Sequence, residues 1–275
     1  MHFHHVLFPV DFSAQCEHAV GSVLQFSAEL GSQLTLLHVV DLPYAWSGEI
    51  DPALLSGHSW DELVSCKRQE LEEFRNARFA GPQVQAVCRK GDPAQVISEF
   101  ASSGGTDVIM MPTHGHGRFR AALLGSVTAK VIHDTSCPVW TSAHTDAPSN
   151  AARPCERIIC AVDETDRSID TIECAGSLAE NLKCSLMLVH VIRHADAACE
   201  SGARARIQEL QRAANVSLPV CIAAGRVEEA VTQAAKVPAA DLVVIGRGRS
   251  SEMLGSFLSH VYGIIRHSPC PVMTV

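Results

Sequence analysis

Apolar positions along the chain fall into two alternating patterns. Short unbroken apolar runs (HVLFPV ending at Asp11, LTLLHVV, VQAVCRK, DVIMM and PVWTS in the first half) are separated by stretches whose apolar residues recur every three or four positions. The first pattern predicts buried strands and the second amphipathic helices. SAQCEHAVGSVLQFSAEL reads as a helix with Ser13 as N-cap and Gly31 as its C-terminal stop. DELVSCKRQELEEFRNA reads as a solvated amphipathic helix, PAQVISEFASS as a third helix and Ala121 to Asp134 as a fourth. Regular strand–helix alternation with continuously apolar strands implies a parallel sheet with helices on both faces.

The pattern occurs twice. The segment from Val6 aligns without a gap on the segment from Ile158, placing Val10 on Val162, Asp11 on Asp163, His38 on His190 and Val39 on Val191. Further on, Gly91 matches Gly225, DVIM (from Asp107) matches DLVV (from Asp241), and both halves end in CPV at Cys137 and Cys270. The chain is therefore a duplication. The polar, aperiodic stretch between the copies predicts domains at 1–144 and 155–275 joined by a linker at 145–154. The second copy has a shorter middle section.

Composition narrows the function. The 275 residues are 47% hydrophobic and 19% charged, enough apolar material for a sizeable core. A net charge of −8 argues against double-stranded nucleic acid, whose phosphates need a basic face. The 11 cysteines contain no CxxC pair and many lie in apolar runs, as buried thiols of a reducing compartment do. No apolar run is long enough to span a membrane and the start lacks a signal-peptide pattern, so the expected location is cytoplasmic.

In sheets of this kind ligands bind at the carboxyl ends of strands near the switch point. Three features of the first half converge there: Pro9, Val10 and Asp11 closing strand one, Val39 near the end of strand two, and the loop PTHGHGRFRAALLGS after strand four. Glycines let backbone N–H groups approach phosphate, and a following helix N-terminus adds unsatisfied donors and partial positive charge. Asp11 suits ribose hydroxyls, Val39 an adenine edge, and Ser126 and Thr128 supply hydroxyls at the helix start.

These residues carry a resemblance to the universal stress protein family over nearly the whole of both halves: PVDFS at 9–13, HVV at 38–40, KGDPAQVI at 90–97, the loop at 112–126 and the CPV strands. Nucleotide-binding members carry Gly-x2-Gly-x9-Gly-Ser/Thr. This chain has Pro112-x2-Gly115-x9-Gly125-Ser126, so proline replaces the first glycine and its N–H is lost. The resemblance implies two flavodoxin-like (adenine nucleotide α-hydrolase-like) domains, each a five-stranded parallel sheet of order 3-2-1-4-5, paired through their last strands as an intramolecular pseudo-dimer, with or without further homodimerisation. It implies ATP, AMP or ADP, with or without Mg, at Pro9, Val10, Asp11, Val39, Pro112, Gly115, His116, Gly117, Gly125, Ser126, Val127 and Thr128, and a regulatory role in stress through an unidentified protein partner.

The second loop, GRGRSSEMLGSFLS, has the look of the first. Anchored at both ends, however, Arg249 falls on Gly115 and Leu258 and Ser259 on Gly125 and Ser126. Two of three glycine positions are lost, and the visible Gly255-Ser256 pair is three residues early. One nucleotide site per chain is expected; Arg247 and Arg249 remain candidates for a different, side-chain anion site. Asp163 persists where the rest has decayed, which points to a structural role. His2, His4, His5, His114 and His116 lack a carboxylate or cysteine at chelating spacing, so no metal site is expected; His38 and His190 read as satisfied core or rim residues. With no Walker lysine, G-x-S-x-G elbow or Ser-His-Asp set, the protein reads as a binder. A non-nucleotide interaction scaffold and a weak ATPase are the alternatives.

Overall fold

The computed structural model describes residues 2–41, 57–79, 83–115, 124–143, 154–247 and 254–275. Contacts divide the chain into two compact units; among the described residues the first comprises 4–41, 57–79, 83–115 and 125–137, and the second 2–3, 124, 138–143, 154–247 and 254–275.

The first unit runs β1 (His5–Pro9), α1 (Ala14–Leu30), β2 (Gln33–Val40), α2 (Gly57–Arg78), β3 (Val84–Lys90), α3 (Pro93–Ser103), β4 (Val108–Met111) and α4 (Ser126–Asp134). Its strands lie in the order β3-β2-β1-β4, all parallel. After β3 the winding turns back past β1. With right-handed crossovers, α1 and α2 then cover one face and α3 and α4 the other. The switch point lies between β1 and β4, so the chain leaving both strands opens onto one crevice. Phe8, Leu7, Leu36, Leu37, Ile109 and Met110 are fully buried on these strands. Each is worth roughly 1.5–3 kcal/mol of transfer free energy, which locks the strand ends that carry the site.

The second unit begins with β5 (Val139–Thr141) and continues as β6 (Arg157–Ala161), α5 (Ser168–Leu182), β7 (Ser185–Ile192), α6 (Ala197–Ala213), β8 (Val220–Ala224), α7 (Val227–Lys236), β9 (Leu242–Ile245), α8 (Leu254–His267) and β10 (Val272–Thr274). Its parallel strands follow β8-β7-β6-β9-β10, the predicted 3-2-1-4-5 order, and β5 adds antiparallel to β10. That register is reciprocal: Val139 faces Thr274, Trp140 faces Met273 and Thr141 faces Val272. The Thr141 hydroxyl donates to the Val272 carbonyl (3.1 Å) and the Thr274 hydroxyl to the Val139 carbonyl (3.3 Å).

Local chemistry explains most boundaries. Ser13 accepts from Cys16 N–H and starts α1; Gly31, left-handed at φ 65°, ends it. Asp92 caps α3 in the same way as Ser13 caps α1. The repeated glycines Gly91 and Gly225 both take positive φ (143° and 126°), which a side chain would strain. The repeated aspartates are anchors. Asp107 Oδ2 accepts the N–H groups of His4 and His5 ahead of and within β1, and Asp241 Oδ2 accepts those of Glu156 and Arg157 at β6.

Two helix starts differ from expectation. Helix α4 begins at Ser126, not Ala121; residues 121–123 lie outside the described residues, and 124 and 125 are not helical. The cause is local: Gly125 N–H donates to the Thr113 carbonyl (2.8 Å), binding the approach to β4 rather than to a helical turn. Helix α8 begins at Leu254. Ser126 matches Ser259, so α8 extends five residues further toward its loop (259 − 254).

Candidate functional site

Asp11 lies two residues past the end of β1. Its Oδ1 accepts from Ser13 N–H (3.0 Å) and the Ser13 hydroxyl (2.7 Å), so the residue that caps α1 also orients the carboxylate. This local turn holds Phe12 at positive φ (60°) and sets its ring 4.7 Å from the His38 imidazole. Phe12 also meets Phe74 edge-on, with Lys67 Nζ 5.4 Å from its centroid. Preceding residues are tied to β2. Val10 N–H donates to the Leu37 carbonyl (2.9 Å), and the Val10 carbonyl accepts from His38 Nδ1 (2.7 Å). Burial, opposed by that hydrogen bond, lowers the His38 pKa, so this ring is neutral at pH 7. The expectation of a satisfied core histidine holds, as it does for His190, whose Nδ1 meets the Val162 carbonyl at 2.9 Å.

The loop after β4 comes back onto Asp11. Gly115 packs so closely that a β-carbon there would overlap Asp11 Oδ2. Gly125 lies against the loop's other side, where a β-carbon would come within 3.1 Å of His114 Cα and 3.2 Å of the Thr113 carbonyl. Asp11, Gly115, His114 and Gly125 are thus contiguous: a side chain at 115 would displace the Asp11 carboxylate, and one at 125 would press on the loop backbone. The Thr128 hydroxyl is buried and donates to the Pro112 carbonyl (3.1 Å), tying α4 to the start of the loop. Helix α4 opens on Gly125 with no side-chain cap; Ser126 is exposed, Val127 half-buried, and the first-turn N–H groups have no intrahelical partner. Val39 is half-buried near the end of β2, and Pro9 closes β1. His116 and Gly117 lie outside the described residues.

The second unit keeps the turn after its first strand and differs beyond it. Asp163 Oδ1 accepts from Thr165 N–H (2.9 Å), the Thr165 hydroxyl (2.6 Å) and the Ser168 hydroxyl (2.8 Å). Arg206 of α6 donates to the Glu164 carbonyl (2.9 Å) and to Asp166 (2.7 Å), bracing this loop. The side chain of Arg247, a candidate anion binder, is buried and donates to Thr274 at the end of β10. Its guanidinium is a packing group of the sheet. Arg249 lies outside the described residues. The early Gly255-Ser256 pair falls in the first turn of the lengthened α8, a full turn ahead of the Gly125-Ser126 position.

Among the described residues, the amino-terminal histidines and His114 do not gather. His5 Nε2 bonds Thr35 Oγ1 (2.8 Å) at the amino end of β1, whereas His114 follows the carboxyl end of β4. A five-residue strand, roughly 16 Å long, separates those ends.

The universal stress protein family model matches residues 2–142 and again 154–275. The chain belongs to the universal stress protein family. Both repeats are universal stress protein domains. A universal stress protein of Methanocaldococcus jannaschii is 31% identical over 147 residues, covering 49% of this chain and 91% of that protein. One from Bacillus subtilis is 25% identical over 143 residues, covering 50% of this chain and 97% of its own. Among solved structures, a universal stress protein from Archaeoglobus fulgidus superposes with a TM-score of 0.69 at 23% identity, covering 99% of this chain and 97% of that one. At that identity the likeness concerns the fold. Among the described residues no helix is long and apolar enough to cross a membrane.

Sequence reasoning missed the dual role of Ser13, which caps α1 and orients Asp11, and the anchor role of Asp107. The signal for the second was present: an aspartate repeated at the same place in both copies, just ahead of a buried strand.

Proposed function

We propose that this universal stress protein binds one ATP, AMP or ADP per chain, in the first unit. The observation that carries the reading is the apposition of Gly115 to Asp11 beside a helix start that no side chain caps. A carboxylate, a close-packed glycine loop and unsatisfied helix N–H groups are the recognition elements that ribose and phosphate require. Ser13 orients the Asp11 carboxylate through Oδ1, and that carboxylate is the acceptor for ribose hydroxyls. Gly115 borders the phosphate path; His116 and Gly117, which the sequence also assigns to it, lie outside the described residues. Ser126, Val127 and Thr128 contribute backbone donors, and Gly125, whose N–H is held by the Thr113 carbonyl, lets the chain pass close to the phosphate. The Thr128 hydroxyl is engaged by Pro112, so the Ser126 hydroxyl is the side-chain donor. Pro9, Val10 and Pro112 form the floor and Val39 borders the adenine. Asp11, just past β1, is the site's carboxylate, so a Mg ion would be held mainly by the nucleotide's own phosphates. The protein acts as a cytoplasmic regulator whose nucleotide state is read by a partner.

Titration of dialysed protein with ATP by calorimetry tests this. One site per chain is expected, weakened by Asp11→Asn, which keeps the Ser13 hydrogen bonds through its amide oxygen. No heat at millimolar ATP overturns the reading in favour of a non-nucleotide scaffold. Phosphate release well above background that disappears in Asp11→Asn would instead establish a hydrolase.

A further inference from the structure

Among the described residues, the Sγ atoms of Cys155 and Cys184 stand 4.0 Å apart, and both residues are half-buried. The strand register brings them together. Arg157 pairs with Ser185 in the parallel β6–β7 ladder, and Ser185 N–H donates to the Glu156 carbonyl (2.9 Å). Cys184 precedes Ser185, and Cys155 lies one step diagonally across from it. With strands about 4.8 Å apart and a rise of about 3.3 Å, their α-carbons come within about 6 Å, inside the range a disulfide bridges. The left-handed residue Lys183 (φ 55°) ends α5 and delivers Cys184 to this place, where its N–H bonds the Ala179 carbonyl (3.0 Å).

Other thiols contrast with this pair. Cys16, Cys88, Cys137, Cys160, Cys174 and Cys270 are buried. Burial pushes Cys16 up to about 12 and Cys174 and Cys270 up to about 11, which suppresses their thiolates. The first repeat holds Phe3 and Ser32 at the matching positions (155 − 152 and 184 − 152), so the pair is a feature of the second repeat alone.

We propose that Cys155 and Cys184 are a reversible redox couple, oxidised to an intramolecular disulfide by hydrogen peroxide and returned to thiols by a reducing dithiol. One thiolate attacks a peroxide oxygen; the O–O bond breaks, hydroxide leaves, and a sulfenic acid forms. The second thiolate attacks that sulfur; the S–S bond forms and the S–O bond breaks, its oxygen leaving as water after protonation. Two thiols and one peroxide thus give one disulfide and two waters. The bond joins residues 29 apart in sequence, closing a loop that contains β6 and α5 and tying the chain's entry into β6 to the turn before β7. Its effect is to restrain the unfolded second unit and the segment that leads into it.

The test uses the full chain, treated with graded hydrogen peroxide, quenched with an alkylating agent and mapped without reduction. A peptide pair linked through Cys155 and Cys184, two hydrogens lighter than the thiols, is expected. It should form at lower peroxide than modification of exposed Cys66 and Cys199, raise the melting temperature by roughly 5–10 °C, and revert with dithiothreitol. Cys184→Ser abolishes both the linked peptide and the shift; serine already occupies this position in the first repeat, so the fold accommodates it. Cys155→Ser is the second control. Full alkylation of Cys155 and Cys184 at peroxide levels that modify Cys66 and Cys199 overturns the proposal. So do separate sulfinic acids on the two cysteines, or links between chains in place of the internal one.

Discussion

Asp11 and Asp163 follow the same strand in two copies of one domain, and each accepts a backbone N–H and a hydroxyl from the residue two positions on. Beyond that they diverge. Asp163 takes a third donor, Ser168, on the same oxygen, and its loop is braced by Arg206. Asp11 instead turns its second oxygen toward a glycine loop, beside a helix whose first turn has no side-chain cap. The shared part of the geometry builds the turn after the first strand; only the unshared part looks like a binding site. A residue present in both copies is thereby shown to have a structural use, and a ligand role has to be argued from what differs.

The largest expected effect is at the glycine. Gly115→Arg puts a side chain where Asp11 Oδ2 stands, and should abolish nucleotide binding by calorimetry. The reverse change, Arg249→Gly, should leave the stoichiometry at one, because α8 still starts five residues early. A second site appearing in that variant would break the distinction between the units. Next in size are the anchors shared by both units. Asp107→Ala and Asp241→Ala each orphan two backbone N–H groups, and each should lower stability by about 2–3 kcal/mol in urea unfolding. A large effect at only one of them would show that the repeats are not equivalently built. Asp11→Asn follows, with nucleotide affinity reduced by roughly tenfold through loss of one charged acceptor, while Asp163→Asn leaves affinity unchanged.

The smallest effect separates the helix pairs. Glu228 of α7 bonds His260 of α8 at 2.7 Å, where the first unit has Ala94 and Val127. Burial pushes the Glu228 carboxyl up, but its own backbone N–H, His260 and Arg226 together outweigh this and hold it below the usual range. A lowered carboxyl pKa stabilises the fold above its unfolded value of about 4.3 and loses that contribution as pH falls through the folded value. The stability difference between wild type and Glu228→Gln should therefore be complete above about pH 5 and vanish on acidification; for this partly exposed pair it stays under about 1 kcal/mol. A Val127→His, Ala94→Glu variant in the first unit tests whether the pair can be transplanted.

Much of this was legible in the sequence because local and global signals agree. VQAVCRK is β3 residue for residue, and Ser13 and Gly31 bound α1 as their cap chemistry requires. The loss of glycine positions from the second loop is read from the sequence alone, since anchoring both ends places Arg249 and Leu258 there. Helix starts beside the site were not legible in this way. Apolar periodicity continues through Ala121 to Asp134, yet Gly125 is held by the Thr113 carbonyl, a contact across the loop that no local pattern announces. The longer α8 escaped for the same reason in reverse, its extra turn lying in a stretch read as loop. Close approaches set by register, such as Gly115 on Asp11 or Cys155 beside Cys184, depend on which strand neighbours which. They become visible only once the sheet is assembled.

The reciprocal pairing of β5 with β10 has a kinetic consequence. A contact whose two sides are matching segments of duplicated sequence is what two separate copies would form by collision, at a rate set by their abundance. Here both segments belong to one polypeptide, so closure is first order and its extent is independent of dilution. A fall in cellular level that would dissolve a dimer of half-length chains leaves this contact closed.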